Sequence, residues 1–137
     1  MTNENFFALI RRIRNLCLER EEKVKQKFAL SPAEFEALLS LESRERVTCR
    51  ELSSRMNLSV SRGSRIIEKM FSHGLIERAD LNTDRRCKNI WLTEKGQEVR
   101  EGIRREMACC EENLAAACSE SELRNLKSSL RKIVEKF

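Results

Sequence analysis

The sequence predicts a mostly helical chain with one small β-wing, and three observations carry that prediction. Apolar residues recur at three- and four-residue steps near both ends of the chain, the pattern of one buried helix face. Ser31/Glu34, Thr48/Glu51 and Ser119/Glu122 each place a hydroxyl three residues before a carboxylate, the signature of a capping box that opens a helix. Between Gly74 and Thr93 the texture changes to short β-favouring segments around a cluster of turn formers. Composition agrees with a folded chain: 40% hydrophobic and 36% charged residues are too rich in both for disorder, and too charged for a membrane protein.

The elements follow in order. Phe6, Ile10, Ile13, Cys17, Val24 and Phe28 line one face of a long first helix, roughly Glu4 to Ala29. Ser31 caps a second helix from Pro32 to about Leu41, with Pro32 at its first position and Leu30 and Phe35 as a hydrophobic staple. Ser43 to Val47 is a polar loop. A short third helix, Cys49 to Met56, turns at Asn57-Leu58 into a fourth capped by Ser59. Its inner face is Ile66, Ile67 and Met70, and Gly74 ends it in a left-handed conformation. A short helix, a tight turn and a longer helix is the spacing of a helix-turn-helix. Leu75 to Ala79 and Lys88 to Leu92 form a two-stranded hairpin whose long tip holds Asp80, Asn82, Thr83 and Asp84. Thr93 caps a fifth helix with the stripe Val99, Ile103, Met107, Cys110 and Leu114. The last helix carries Leu123, Leu126, Leu130, Ile133 and Phe137, a seam suited to another helix. With no repeat or linker, 137 residues fit a single domain.

Net charge is +5, a mild indication of a polyanionic partner. Its distribution says more. No acidic residue lies between Glu51 and Glu68, while Arg55, Arg62 and Arg65 fall inside that window. On a helix starting at Ser59, the first turn and a half presents Ser61, Arg62, Ser64 and Arg65. Those residue types reach base edges and phosphates, and a helix N-terminus favours an anion. At the hairpin, Arg85 and Arg86, with Lys88 behind them, suit a backbone or minor-groove contact, and Asp84 can pair with an arginine to hold the tip's shape. A solvated basic helix face and an ordinary charged turn remain the plain alternatives.

The run Asp84-Arg85-Arg86-Cys87-Lys88-Asn89-Ile90-Trp91-Leu92-Thr93-Glu94-Lys95-Gly96 resembles the wing of the MarR family, in which D-x-R is followed by L-T-x-x-G. Leu30-Ser31-Pro32 before Phe35, Glu51-Leu52, Leu58-Ser59 and Gly74-Leu75-Ile76-Glu77-Arg78 fall where that family has equivalents, so the likeness covers nearly the whole chain. Val60 stands where a proline is common, Gly63 sits inside the fourth helix, and Lys88 and Asn89 replace an apolar pair. A mid-helix glycine costs roughly 1 kcal/mol. The resemblance implies a winged helix-turn-helix core at about residues 31–96. It also implies dimerisation helices at about 4–29 and 94–137, the fourth helix in the major groove, and Arg86 in the minor groove. The implied activity is that of a homodimeric, sequence-specific transcriptional regulator, a repressor, on a pseudo-palindromic operator of double-stranded DNA. A small aromatic or anionic effector would release it, as many family members bind such ligands between the dimer helices and the reading head. No cofactor is implied.

Other classes are excluded or weighed in turn. The polar stretch Met1 to Asn5, followed by Phe6 to Ile10 with Arg11 and Arg12 behind, lacks a small-residue cleavage site, and no apolar run approaches the roughly 18 residues of a membrane span. The expected setting is cytoplasmic. The six cysteines include no C-x-x-C pair and the lone histidine is His73, so no zinc spacing is present, although cysteines of two subunits can meet. Cys17, Cys110 and Cys118 lie on or beside apolar stripes and are expected to be buried; Cys109-Cys110 are adjacent, a poor geometry for a disulfide. Cys87, between Arg86 and Lys88, and Cys49, at the start of the third helix, are the candidates for thiol-based redox sensing. A nonspecific architectural DNA binder and a helical interaction protein are the competing non-enzymatic readings. No nucleophile–base pair, phosphate loop or catalytic acid pair supports an enzyme.

Overall fold

The computed structural model describes residues 4–81 and 84–137, with side chains throughout those ranges except at 80–88. Its elements are α1 (Phe6–Lys27), α2 (Pro32–Ser40), β1 (Val47–Thr48), α3 (Cys49–Arg55), α4 (Val60–Ser72), β2 (Ile76–Leu81), β3 (Asp84–Leu92), α5 (Glu94–Ala116) and α6 (Glu120–Lys136). The chain forms two compact units, one ending at Glu101 and the other starting at Gly102.

The helix starts follow the sequence signals. Asn5 opens α1 by accepting from the Ala8 amide at 2.9 Å. At α2 the full capping box forms: the Ser31 hydroxyl accepts from the Glu34 amide, and Oε1 of Glu34 accepts from the Ser31 amide, both at 3.2 Å. At α3 and α6 only the hydroxyl half is made, from Thr48 to the Glu51 amide and from Ser119 to the Glu122 amide. Glu51 and Glu122 are exposed, where water satisfies an amide equally well.

Three helix ends share one device. Leu30, Leu58 and Leu75 donate their amides back to the carbonyls of Lys25, Ser53 and Met70, five residues earlier. This closure requires a left-handed residue just before each leucine, and Ala29 (φ 53°), Asn57 (φ 56°) and Gly74 (φ 70°) occupy those positions. Gly74 and Asn57 suit that conformation; Ala29 adopts it at a steric cost.

The sheet differs from the expected two-stranded hairpin. It has three strands in the order β1-β3-β2, because Val47 and Thr48 pair antiparallel with Ile90 and Asn89. A two-residue strand is too short to show alternation, so the stretch up to Val47 reads as loop; the buried, β-branched Val47 draws it onto the sheet edge. Both hairpin strands also extend beyond the expected segments. Ile76 faces Leu92 and the ladder continues to Asp80 opposite Lys88, then shifts register so that Leu81 faces Asp84. More chain separates Asp84 from Lys88 than separates Leu81 from Asp80, so β3 is irregular where Arg85, Arg86 and Cys87 lie.

The core of the first unit joins α2, α3, α4 and the sheet through Phe35, Leu38, Leu52, Met70, Ile76 and Ile90, each almost fully buried. Each large side chain contributes about 1.5–3 kcal/mol. Two glycines set close approaches. A Cβ on Gly63 would lie 1.8 Å from Oγ of Ser53 and 2.7 Å from its Cβ, so α3 and α4 cross where only glycine fits. A Cβ on Gly96 would lie 2.0 Å from the Leu75 carbonyl oxygen. Thr93 completes that junction: its hydroxyl donates to the Gly74 carbonyl at 2.6 Å and accepts from the Gly96 amide at 3.0 Å. The L-T-x-x-G run is therefore a strand-to-helix corner.

In the second unit, Ile103 is fully buried and Lys127 of α6 pairs with Glu111 of α5 at 3.3 Å. α6 buries no residue, and Leu126, Leu130, Val134 and Phe137 are exposed. In α1 only Val24 is buried. Cys17 is exposed and Cys110 and Cys118 half-buried, against the expectation of burial, because the stripes that carry them are largely uncovered in the single chain. Among the described residues no helix is long and apolar enough to cross a membrane.

Candidate nucleic-acid interface

The helix-turn-helix consists of α3, the Met56–Ser59 turn and α4. Ser59 accepts from the Arg62 amide at 3.2 Å and fixes the first turn of α4. Gly63, Ile67 and Met70 are its buried residues, so helical periodicity places Ser61 and Arg65 on the opposite crest. Arg62 lies on one flank and Ser64, with Val60 four residues before it, on the other. Ser59, Ser61, Arg62, Ser64 and Arg65 are all exposed. The glycine that seemed from sequence alone to loosen this helix instead lets α3 hold it tightly.

Farther along, α4 is tied to its surroundings. Glu68 pairs with Arg78 of β2, whose guanidinium also lies 4.2 Å from the centre of the Phe71 ring. Arg55, within the acid-free window of the sequence, belongs to a different structure. It donates to the Ser40 carbonyl and, through two bonds, to Glu45, bracing the loop before β1. Glu45 is thereby lowered from 4.5 to about 2, chiefly by its hydrogen bond from Arg55. Arg100, 4% exposed, holds the same loop through Glu42 at 3.2 Å. The basic surface of the helix-turn-helix is thus narrower than the window suggested.

The backbone of Asp84, Arg85, Arg86, Cys87 and Lys88 runs in β3, and their side chains lie outside the described residues. Asn82 and Thr83 lie outside the described residues altogether. Cys49 is half-buried at the first position of α3, and its carbonyl accepts the Ser53 hydroxyl at 2.7 Å. Among the described residues no group of three or more His, Cys, Asp or Glu side chains is placed to hold a metal ion.

A second feature was not legible as a site. The Glu34 side chain is 1% exposed, yet it gathers two partners besides its own cap. Nδ1 of His73 lies 2.7 Å from Oε2, the Ser31 amide bonds Oε1, and Nζ of Lys69 stands 3.9 Å from Oε1. Burial acts to raise the Glu34 pKa, but the hydrogen bonds with His73 and Ser31 outweigh it and hold the carboxyl below its usual value. Beside this cluster opens a cleft of about 250 Å³, walled by Phe28, Leu30, Leu75 and Val99 and bordered by Glu34, His73 and Lys95. Nζ of Lys95 donates to the His73 carbonyl at 2.9 Å. The available signals were the lone histidine at the end of α4 and a capping glutamate on the inward face of α2.

The arrangement of α3, α4 and the sheet has recognisable relatives. The family model described as "MarR family" matches residues 30–88. The chain is 31% identical over 122 residues to the transcriptional repressor MprA of Escherichia coli, covering 88% of this chain and 69% of that protein. The chain belongs to the MarR family. Among solved structures, a mutant of S. aureus MepR superposes with a TM-score of 0.82 at 21% identity, covering 96% of this chain and 98% of that one. The S. aureus MepR–DNA complex gives 0.76 at 21% identity with the same coverage, and a crystal structure of MarR gives 0.72 at 20% identity, covering 93% of both chains. At these identities the likeness is one of fold. As a MarR-family winged-helix protein the chain is a transcriptional regulator and not an enzyme.

Proposed function

We propose that this MarR-family chain acts across its whole length as a sequence-specific repressor. It binds a pseudo-palindromic operator as a homodimer, with α4 in the major groove and the β2–β3 wing on the minor groove. The observation that carries this reading is the crest of α4. A rigidly packed helix presents Ser61, Arg62, Ser64 and Arg65 to solvent, with no carboxylate before Glu68 to repel phosphate. The capped N-terminus adds its own positive potential. On this reading Arg85, Arg86 and Lys88 of the wing are the further DNA-contacting residues, and Asp84 is the residue assigned to shaping it. The relatives named as a transcriptional repressor and as a DNA complex point the same way.

Dimerisation is supported by apolar side chains that the single chain leaves in water. Phe6, Ile13 and Leu16 on α1, Leu126 and Leu130 on α6 and Phe137 just after it are exposed, and a second copy would bury such faces. A two-fold dimer places its reading helices about one turn of the duplex apart. The cleft beside Glu34 and His73 is a fitting place for the effector. Its apolar walls match a ring, and Lys95 at its border favours an anion. Occupancy there touches the C-cap of α4 directly.

The test is selection of genomic fragments by the purified full chain, followed by binding isotherms on the recovered and scrambled duplexes. A recovered palindrome bound at least about 10³-fold more tightly than scrambled DNA is the expected result. Equal affinity for both, with a salt slope accounting for all of the binding, would instead establish a nonspecific architectural protein.

A further inference from the structure

Within the reading surface one residue has no structural task. Val60 is the first residue of α4, and its side chain is 49% exposed. It is not the cap, which is Ser59, and it is not core, which α4 supplies through Gly63, Ile67 and Met70. A β-branched residue gains nothing at an exposed helix position by propensity. Its neighbours on the exposed surface of the first turn are Ser61, Arg62 and Ser64, all hydrogen-bonding residues, so Val60 is the apolar point of an otherwise polar tip.

The N-terminal residues of a helix lying in the major groove are those that meet base edges. Hydrogen-bond donors and acceptors cover those edges except at one feature, the C5-methyl group of thymine. We propose that Val60 is a specificity-determining residue that reads a thymine methyl in each half-site, resting on the operator-binding function proposed above. Its two methyl groups exclude water from the thymine methyl and make no demand on a neighbouring donor. Cytosine at the same place presents only a C5 hydrogen there and forfeits the contact. Val60 therefore adds thymine preference beside the bases reached by Arg62 and Arg65, and Ser64, four residues on and on the same flank, lies next to it.

The experiment removes only the methyl group. Thymines of the selected operator are replaced by uracil, one symmetric pair at a time, and binding is titrated with the wild-type chain and with Val60→Ala. At one pair the wild type should lose roughly fourfold in affinity per half-site, the effect of one methyl group no longer buried. Val60→Ala should bind the thymine and uracil forms of that pair alike, and should match the wild type on the uracil form, which also establishes that the variant is folded. An operator bound equally in thymine and uracil forms at every position overturns the assignment, as does a Val60→Ala chain with the wild-type ratio. A wild-type chain that selects no operator overturns both this assignment and the function beneath it, so the two failures are distinguishable.

Discussion

Nδ1 of His73, the C-cap of α4, lies 2.7 Å from Oε2 of Glu34, the third residue of α2. The contact joins the end of the proposed reading helix to the start of the helix behind it, across 39 residues of sequence. It also consumes one oxygen of a carboxylate that is almost wholly removed from water. His73→Ala should therefore destabilise the chain by about 1–3 kcal/mol, the cost of leaving a buried acceptor without its nearest partner. Urea unfolding at neutral pH measures this. The pH dependence supplies a second readout. Glu34 titrates below its ordinary 4.5 in the folded chain, so its contribution is present above that value and is lost as pH falls through the lowered one. Removing His73 takes away the main stabilising partner of the ionised form, so the acid loss should begin at higher pH in the variant.

Gly63 and Ser53 make a second relationship that mutation can read. Ala at position 63 gains roughly 1 kcal/mol of helix propensity. Against that, its Cβ meets Ser53 Oγ at 1.8 Å and Ser53 Cβ at 2.7 Å, and a short side chain has no flexible end to yield. Overpacking of this kind costs about 1–3 kcal/mol and moves the helices apart. Gly63→Ala should lower the urea midpoint and weaken DNA binding together. Ser53→Gly in the same chain should restore part of the stability, and the double-mutant cycle measures the coupling. An unchanged midpoint in Gly63→Ala would place the crossing of α3 and α4 elsewhere.

The Glu45–Arg55 pair gives an acid-side prediction of its own. Glu45 is lowered to about 2 from 4.5, chiefly by the hydrogen bond from Arg55, so its stabilising contribution is complete above about pH 4.5. It falls away as pH drops toward 2. Glu45→Gln should leave a shallower slope of stability against pH across that window, with the slope above it unaltered. Because the carboxylate is partly solvated, the effect on the midpoint at neutral pH should be small, within the range of exposed ion pairs. An unaltered acid slope would show that the pair is absent in solution.

What could be read from the chain beforehand divides along physical lines. Local signals were legible: the cap at Ser31, the left-handed turn at Gly74 and the four-helix order through Ser59 each depend on a few adjacent residues. Nonlocal arrangements were not. β1 has two residues and exists only because Ile90 and Asn89 lie beside it. Gly63 looked like a weakness because its justification, Ser53, lies on another helix. Arg55 looked like part of a basic surface because Glu45, its partner, is ten residues away. The exposed residues of the first turn of α4, by contrast, follow directly from periodicity once Ser59 is taken as the cap.

The reading surface itself is tested by two arginines that should fail in different ways. Arg65 lies on the crest of α4, opposite Gly63, Ile67 and Met70, where a guanidinium can reach guanine with two hydrogen bonds. Arg65→Ala should relax preference at one base pair per half-site by about 1–3 kcal/mol while leaving other positions unchanged. Arg86 is on β3, and its proposed target is the minor groove and its phosphates. Arg86→Ala should weaken binding to all operator variants alike and reduce the salt slope by about 1 for each subunit. Sedimentation should find both variants as dimers, since neither residue lies on α1 or α6. If Arg65→Ala instead weakened every sequence equally, α4 would touch only the phosphate backbone. If neither variant changed an isotherm, the DNA would lie on another face of the protein.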